Sequence, residues 1–462
     1  MSSVSNSANS ERVETPDVRK LRPVQDDWLG QIQKTGKATR PEDVFSFISH
    51  PLSTVELAQL AILRMLDHPF SDDSSNLQKL SRSEWKQVLQ WLDYSGVALY
   101  FFDRFRHSGS IDLLPHWMHD RLQLSLDENI ARTRSQIEES AAIQQEFQRL
   151  GIHYSVIKGI SLWPHSVPDP VLRSQLDLDF LVAEESADTA RNVLERRGYR
   201  LYAASDRSLE FKCNEQLGMS VKDLYKDLRS WSVELHVEPT ATGNHSRLDR
   251  LEWRELFGMR MPTLSSVDIF LGQGLHVHKN VCAEFLRSAH VWEFRNAVLS
   301  RRHDAAFWKA VRIAAIDNRS VAIRLGVVLL LITEALGESA PDSLTGWTVP
   351  LVPAAARMWI RRYGHRSVLG RFPGSKRYLL LQKALHDAGV TPRRHSVESL
   401  IPTRLPPPII RPLQNESSVT RILRNWMQFK FIAHRLRFHL IAGFDYWHES
   451  QLWAKIVRKI DQ

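Results

Sequence analysis

Two aspartates stand two positions apart in RSQLDLDFLV, residues 173–182. Asp177 and Asp179 interrupt what otherwise reads as an apolar run. Charged groups are costly to bury unless they are paired or bound to a cation. The stretch is therefore an exposed turn, a structural ion pair or a metal site. In an extended strand alternate side chains face opposite ways. Leu176, Leu178, Phe180 and Val182 then share one face. The two carboxylates share the other, about 7 Å apart at ~3.3 Å per residue. A hard divalent cation, Mg²⁺ or Mn²⁺, binds carboxylate oxygens and leaves positions for water and phosphate.

WSVELHVEP, residues 231–239, repeats the alternation. Val233, Leu235 and Val237 make an apolar face, and Glu234, His236 and Glu238 a polar one. If the two strands are neighbours with apolar faces on the same side, Glu234 joins Asp177 and Asp179. Three carboxylates on one sheet face hold two metals, or one metal beside a general base. His236 either orients Glu234 or a metal-bound water, or is a satisfied half-buried histidine. VIKGISLW, residues 156–163, reads as a strand ending in a turn that lets backbone amides approach a phosphate. Lys158 adds a point charge there, Gly159 the turn and Ser161 a hydroxyl. Arg173 reaches a phosphate oxygen or pairs with Asp177.

The elements that must position these residues are legible in outline. Residues 1–45 are rich in Ser, Asn and charge and read as a disordered arm. Residues 46–150 show helical spacing of apolar positions and end at Gly151, a helix C-cap. Residues 151–262 switch to short strands around one amphipathic helix, EESADTARNVLERRGY. Residues 263–400 return to helical spacing. The stretch 401–418 is a proline-rich linker, and 419–462 a basic amphipathic helix. The expected fold class is α+β: a small mixed-sheet core flanked by N- and C-terminal helical regions.

The order of these features carries a resemblance. Strand, Gly-x-Ser turn, Arg-containing loop, Asp-x-Asp strand, helix ending in Gly-Tyr and a strand with a third acid resemble the DNA polymerase β-type nucleotidyltransferase superfamily. More narrowly, "VIKGISL…RSQLDLDFLV…ARNVLERRGY…VELHVEP" is similar to a bacterial nucleotidyltransferase family of largely uncharacterised members. The resemblance covers about 150–300, including a helix with His276 and His278 like one usual after the core. It implies Asp177, Asp179 and Glu234 as metal ligands and Gly159 and Ser161 in the phosphate turn. The chain departs from the family pattern in three places. Lys158-Gly159-Ile160-Ser161 stands where Gly-Gly or Gly-Ser is usual, Glu234 stands for Asp, and no acid occupies the region of Val291.

Other features bound the alternatives. The chain has 462 residues, 43% hydrophobic and 24% charged, ordinary for a soluble protein. A net charge of +9 favours anionic partners. Two cysteines, Cys213 and Cys282, exclude a disulfide framework and suit a reducing cytoplasm. The longest apolar run, Val327 to Ile332, is too short to cross a bilayer and reads as a buried helix. No Gly-x-Gly-x-x-Gly or Walker-type loop supports a Rossmann or P-loop reading. His276 and His278, two apart on a helix, make a poor zinc pair. TRILRNWMQFKFIAHRLRFHLIAGF, residues 420–444, has no acidic residue. It reads first as a helix docked on the protein with arginine stems over apolar surface, and second as a face for a membrane surface or nucleic acid.

The expected activity is Mg²⁺-dependent (or Mn²⁺-dependent) transfer of a nucleotidyl group from an NTP, ATP first among them, to an unidentified acceptor. Asp177, Asp179 and Glu234 would hold metal; Lys158, Gly159, Ser161 and Arg173 would hold phosphates. The competing readings are a catalytically degenerate nucleotide- or partner-binding regulator, and a glycosyltransferase using Asp-x-Asp to hold a sugar-nucleotide.

Overall fold

Apolar residues at three- and four-residue spacing build helices on both sides of a stretch where the spacing becomes two. The computed structural model describes residues 52–66, 75–205, 207–213, 223–228, 231–239, 246–256, 258–390, 400 and 418–460. The arm expected over 1–45 and, Ser418 aside, the linker expected over 401–418 lie outside them. The described residues form a mixed α+β fold.

Five helices come first: α1 (Thr54–Met65), α2 (Ser75–Gln78), α3 (Arg82–Ser95), α4 (Ala98–His107) and α5 (His116–Arg149). Ser53 with Glu56, and Ser81 with Glu84, form capping boxes that start α1 and α3. The sheet region follows: β1 (Tyr154–Ile157), β2 (Asp177–Ala183), α6 (Ala187–Arg196), β3 (Arg200–Ser205), β4 (Ser208–Lys212), β5 (Ser232–Glu238), β6 (Leu251–Leu256) and β7 (Met259–Leu264). Then come α7 (Ser266–Val281), α8 (Ser288–Ser300), α9 (Ala305–Ala315), α10 (Arg319–Leu336), α11 (Asp342–Thr348), α12 (Ala354–Val368), α13 (Tyr378–Asp387) and α14 (Ser418–Ile460).

The strand order is β3-β4-β5-β2-β1-β7-β6. The central pair β2 and β5 is parallel, and β1 runs antiparallel to β2. The C-terminal end of β1 therefore meets the N-terminal starts of β2 and β5 at one edge of the sheet. Three strands escape the sequence reading. All of β3 is exposed and so lacks alternation, β6 is a charged edge strand, and Pro262 interrupts the pattern of β7. Pro262 has no amide to give the ladder, and β7 meets β1 through the single pair Val156 and Thr263.

Two large cores divide the molecule. One collects Val88, Phe101 and Phe102 from the first helices with Phe294, Val328, Ile332 and Trp359 from the later ones, so the two helical regions share one interior. The other packs Phe180, Val233, Leu235 and Phe211 of the sheet against Val193 and Leu194 of α6. Helix α5 belongs to both: Leu122 and Leu126 lie in the first, Ile143 and Phe147 in the second. Its 34 residues make a rod of about 51 Å that spans both cores. A small third cluster, Leu181, Ala183, Leu248 and Leu264, covers the other sheet face. The strand alternation holds, yet beyond the aspartates the polar face of β2 is itself roofed by apolar groups.

Candidate active site

The two acidic strands are direct neighbours, and their register sets the site. Asp179 pairs with Glu234 across the parallel ladder, and Leu181 with His236. All three polar side chains fall on one face because directly paired residues of neighbouring strands face the same way and Glu234 and His236 are two apart on β5. Ligand atoms of Asp179, Glu234 and His236 lie within 4.8 Å of one another. Asp177 lies one step earlier on the same face, outside that group, and is half-buried.

Lys158 supplies the positive charge among the acids. It follows β1 directly, and its Nζ donates to Asp179 Oδ1 at 2.6 Å and lies 3.6 Å from Glu234 Oε2. His236 Nε2 lies 2.8 Å from the same Asp179 oxygen and 3.2 Å from Glu234 Oε2. Two nitrogen groups thus converge on one carboxylate oxygen. The other oxygen, Oδ2, is buried with no hydrogen-bond partner. A buried carboxylate oxygen left without a donor calls for a ligand such as a cation. Two carboxylates and an imidazole fit a divalent metal by type, with oxygen donors suiting Mg²⁺ or Mn²⁺ and the imidazole tolerated by Mn²⁺.

The electrostatics separate the acids. Burial, then the neighbouring Asp179 charge, pushes Asp177 up to about 6. The hydrogen bond from His236, with help from the Lys158 charge, holds Glu234 down at about 2. Burial works against the charged form of His236, but its bonds to Asp179 and Glu234 win and raise it. Burial likewise opposes Lys158, and the Asp179 charge raises it.

The turn from Lys158 to Ser161 is tightly held. Lys158 has φ 52° and Gly159 φ 36°. A left-handed Lys is strained, and at Gly159 a Cβ would collide with the Gln175 side chain. Ser161 is fully buried, and its hydroxyl donates back to the Lys158 carbonyl at 2.8 Å. Arg254 of β6 donates to the carbonyls of Ser161 and Trp163 at 2.9 and 2.8 Å and pins the turn from behind.

Arg173 pairs with Glu293 rather than with Asp177. Its Nε donates to Glu293 Oε1 of α8 at 3.0 Å, and Tyr100 of α4 donates to the same oxygen at 3.0 Å. Burial disfavours the Arg173 charge, but Glu293 more than offsets it and raises the group. No acid stands at Val291, yet Glu293 lies two positions on, buried. Arg287, which opens α8, lies beside this pair with its Nε lacking a hydrogen-bond partner. His276 and His290 meet edge to face, ring centroids 5.1 Å apart, between α7 and α8. Burial, then the Lys158 charge, pulls His276 down to about 4. The expectation that His276 and His278 point apart holds: His276 flanks the site, and His278 is buried beside Cys282, their side chains 3.8 Å apart.

Residues outside the motifs hold the loop before β2. Asn129, Arg132 and Gln136 of α5 donate to the carbonyls of Val171 and Gln175, with Arg132 also reaching the Lys226 carbonyl at 2.9 Å. A signal for them exists. They continue, at three- and four-residue spacing, the stripe begun by Met118, Leu122 and Leu126, so polar side chains occupy positions the helix buries.

A family model described as uncharacterised nucleotidyltransferase matches residues 81–336, more than half of the chain. No curated protein matches it in sequence. Among solved structures, an antigenic nucleotidyltransferase-like protein from Paracoccidioides brasiliensis is similar at 10% identity and a TM-score of 0.25. That match covers 45% of this chain and 95% of that one.

Proposed function

The chain belongs to the uncharacterised nucleotidyltransferase family, and on that premise we propose that it transfers a nucleotidyl group from an NTP, ATP first, to an acceptor nucleophile. The bond formed joins the acceptor to the α-phosphorus, and the bond broken releases pyrophosphate. Asp177, Asp179 and Glu234 are the metal ligands of this reading, with His236 beside them. A bound Mg²⁺ or Mn²⁺ would neutralise phosphate charge and polarise the reacting phosphoryl group. In this reading Glu234, held ionised by His236 and Lys158, ligates metal and helps take up the acceptor proton. Lys158, the Gly159 turn and Arg173 supply positive charge and backbone amides to phosphate oxygens. Ser161 supports the turn from inside.

The observation that carries this reading is the pairing of Asp179 with Glu234 on adjacent parallel strands. A glycosyltransferase site would have been favoured by Glu234 lying remote from the aspartates, and it lies next to them. Incubation with labelled NTPs and Mg²⁺ or Mn²⁺, following the label into small molecules, RNA and the protein itself, tests the proposal. Asp179→Ala should lower transfer by about a thousand-fold or more. Unchanged label incorporation in that variant would sink the enzyme reading.

One observation favours the second reading, a nucleotide-binding regulator. Lys158 Nζ already sits among the acids at 2.6 Å from Asp179. A chain that binds NTP with and without divalent metal, and releases no pyrophosphate, would be of that kind.

A further inference from the structure

Among the described residues, helix α14 is docked along one side only. Glu449 accepts hydrogen bonds from Tyr363 at 2.7 Å and from Arg362 at 3.1 Å, and Asp445 pairs with Arg377 at 2.9 Å. Trp453 is buried against Tyr363, ring centroids 6.1 Å apart. His439 is buried on the same side. At 3.6 residues per turn, His439, Tyr446, Glu449 and Trp453 make one narrow stripe.

The opposite side is apolar and faces solvent. Ile422, Trp426, Phe429, Leu440, Phe444 and Trp447 are between 52% and 69% exposed. With the exposed Ala433 and Leu436 between Phe429 and Leu440, they recur at three- and four-residue spacing and run about 40 Å along the helix. Scattered exposed apolar side chains are ordinary, but a continuous stripe of this length marks a contact surface.

Charge selects what covers it. From Ser418 to Phe444 the helix has no Asp or Glu. Lys430 and Arg437 border the apolar stripe, and they and Arg421 are exposed. None of these three has an ion pair among the described residues. The first carboxylates, Asp445 and Glu449, are spent on Arg377 and Tyr363. A second copy of the helix would bring like charges together with no acid on that face to offset them. Trp, Phe and Leu beside Lys and Arg is instead the composition of a helix lying in the plane of an acidic lipid interface, aromatic rings at headgroup depth. No helix among the described residues is long and apolar enough to cross a membrane.

We propose that α14 docks the protein onto an anionic lipid surface through its Ile422–Trp447 face. Docking would hold the acid site at a membrane rather than in bulk solution. The test uses the full chain and floated vesicles of phosphatidylcholine alone or with about a third phosphatidylglycerol. The protein should float with the anionic vesicles only, and roughly half-molar salt should lower the bound fraction several-fold. Lys430→Glu with Arg437→Glu should weaken flotation about ten-fold or more, two charges being reversed near the surface. Trp426→Glu with Phe444→Glu should abolish it, with helix content by circular dichroism and melting temperature unchanged, since both side chains face solvent. No flotation with either vesicle overturns the proposal. So does a concentration-dependent dimer in sedimentation that the Trp426/Phe444 double variant breaks, which would assign the face to a second copy.

Discussion

The site has two walls, built from opposite materials. One is the acid wall of β2 and β5, where Asp177, Asp179, Glu234 and His236 crowd on one face of the two central strands. The other is the helical wall, where Arg173 is locked to Glu293 and Tyr100 between the cores. On the acid wall like charges face each other, one carboxylate oxygen has no donor, and Asp177 is pushed up to about 6. On the helical wall the charges alternate and the pair is satisfied. The first arrangement keeps a raised Asp177 and an unmatched carboxylate oxygen even with Lys158 and His236 beside it; the second is closed by its own partners, and removing one would leave a buried charge. A binding surface is left frustrated, and the frame around it is not.

Breaking the frame should have the largest effect on folding. Glu293→Gln leaves the Arg173 charge buried without a counter-charge, and should destabilise by about 3–4 kcal/mol in urea melts. A change below about 1 kcal/mol would mean that water, not Glu293, carries that charge.

Relieving the acid wall should do the reverse. Asp177 is raised in the folded state to about 6, so the folded protein holds more protons than the unfolded chain between roughly pH 4 and 6. Stability from this group is therefore present at low pH and lost as pH rises through about 6. Asp177→Asn should stabilise the metal-free protein by about 2 kcal/mol near pH 8 and change little near pH 4, while transfer falls. Equal effects at both pH values in paired melts would refute this electrostatic account.

The smallest effect sharpens the difference within one helix. His278 is buried away from the site, and burial pulls it down to about 4. Its folded value is depressed, so the stability it permits is full above the unfolded value near 6.5 and is lost as pH falls toward 4. Between about pH 7 and 5 this group should subtract about 1–2 kcal/mol from the melting free energy, against the gain from Asp177, and His278→Leu should remove that loss. A slope unaltered in His278→Leu would assign the acid sensitivity elsewhere, to His276 or His290.

How much of this was legible follows from where each signal is written. Alternation in LDLDFLV and VELHVEP is a local pattern, so the acid face could be read from it. The α+β class and the family resemblance rest on such local patterns and their order. Strands β3, β6 and β7 lack clean alternation, being edges or interrupted by proline, and passed unread. The pairing of Arg173 with Glu293 could not be read, because the two lie 120 residues apart. Asn129, Arg132 and Gln136 were readable in principle, as polar groups at buried helical positions, but what they hold could not be. Local sequence fixes which face a side chain takes, because strand and helix periods are properties of the backbone. Only the tertiary structure decided that Asp179 stands opposite Glu234, that Lys158 sits between them and that α14 shows its apolar side to solvent. Those are distances between segments far apart in the chain, and no local period encodes them.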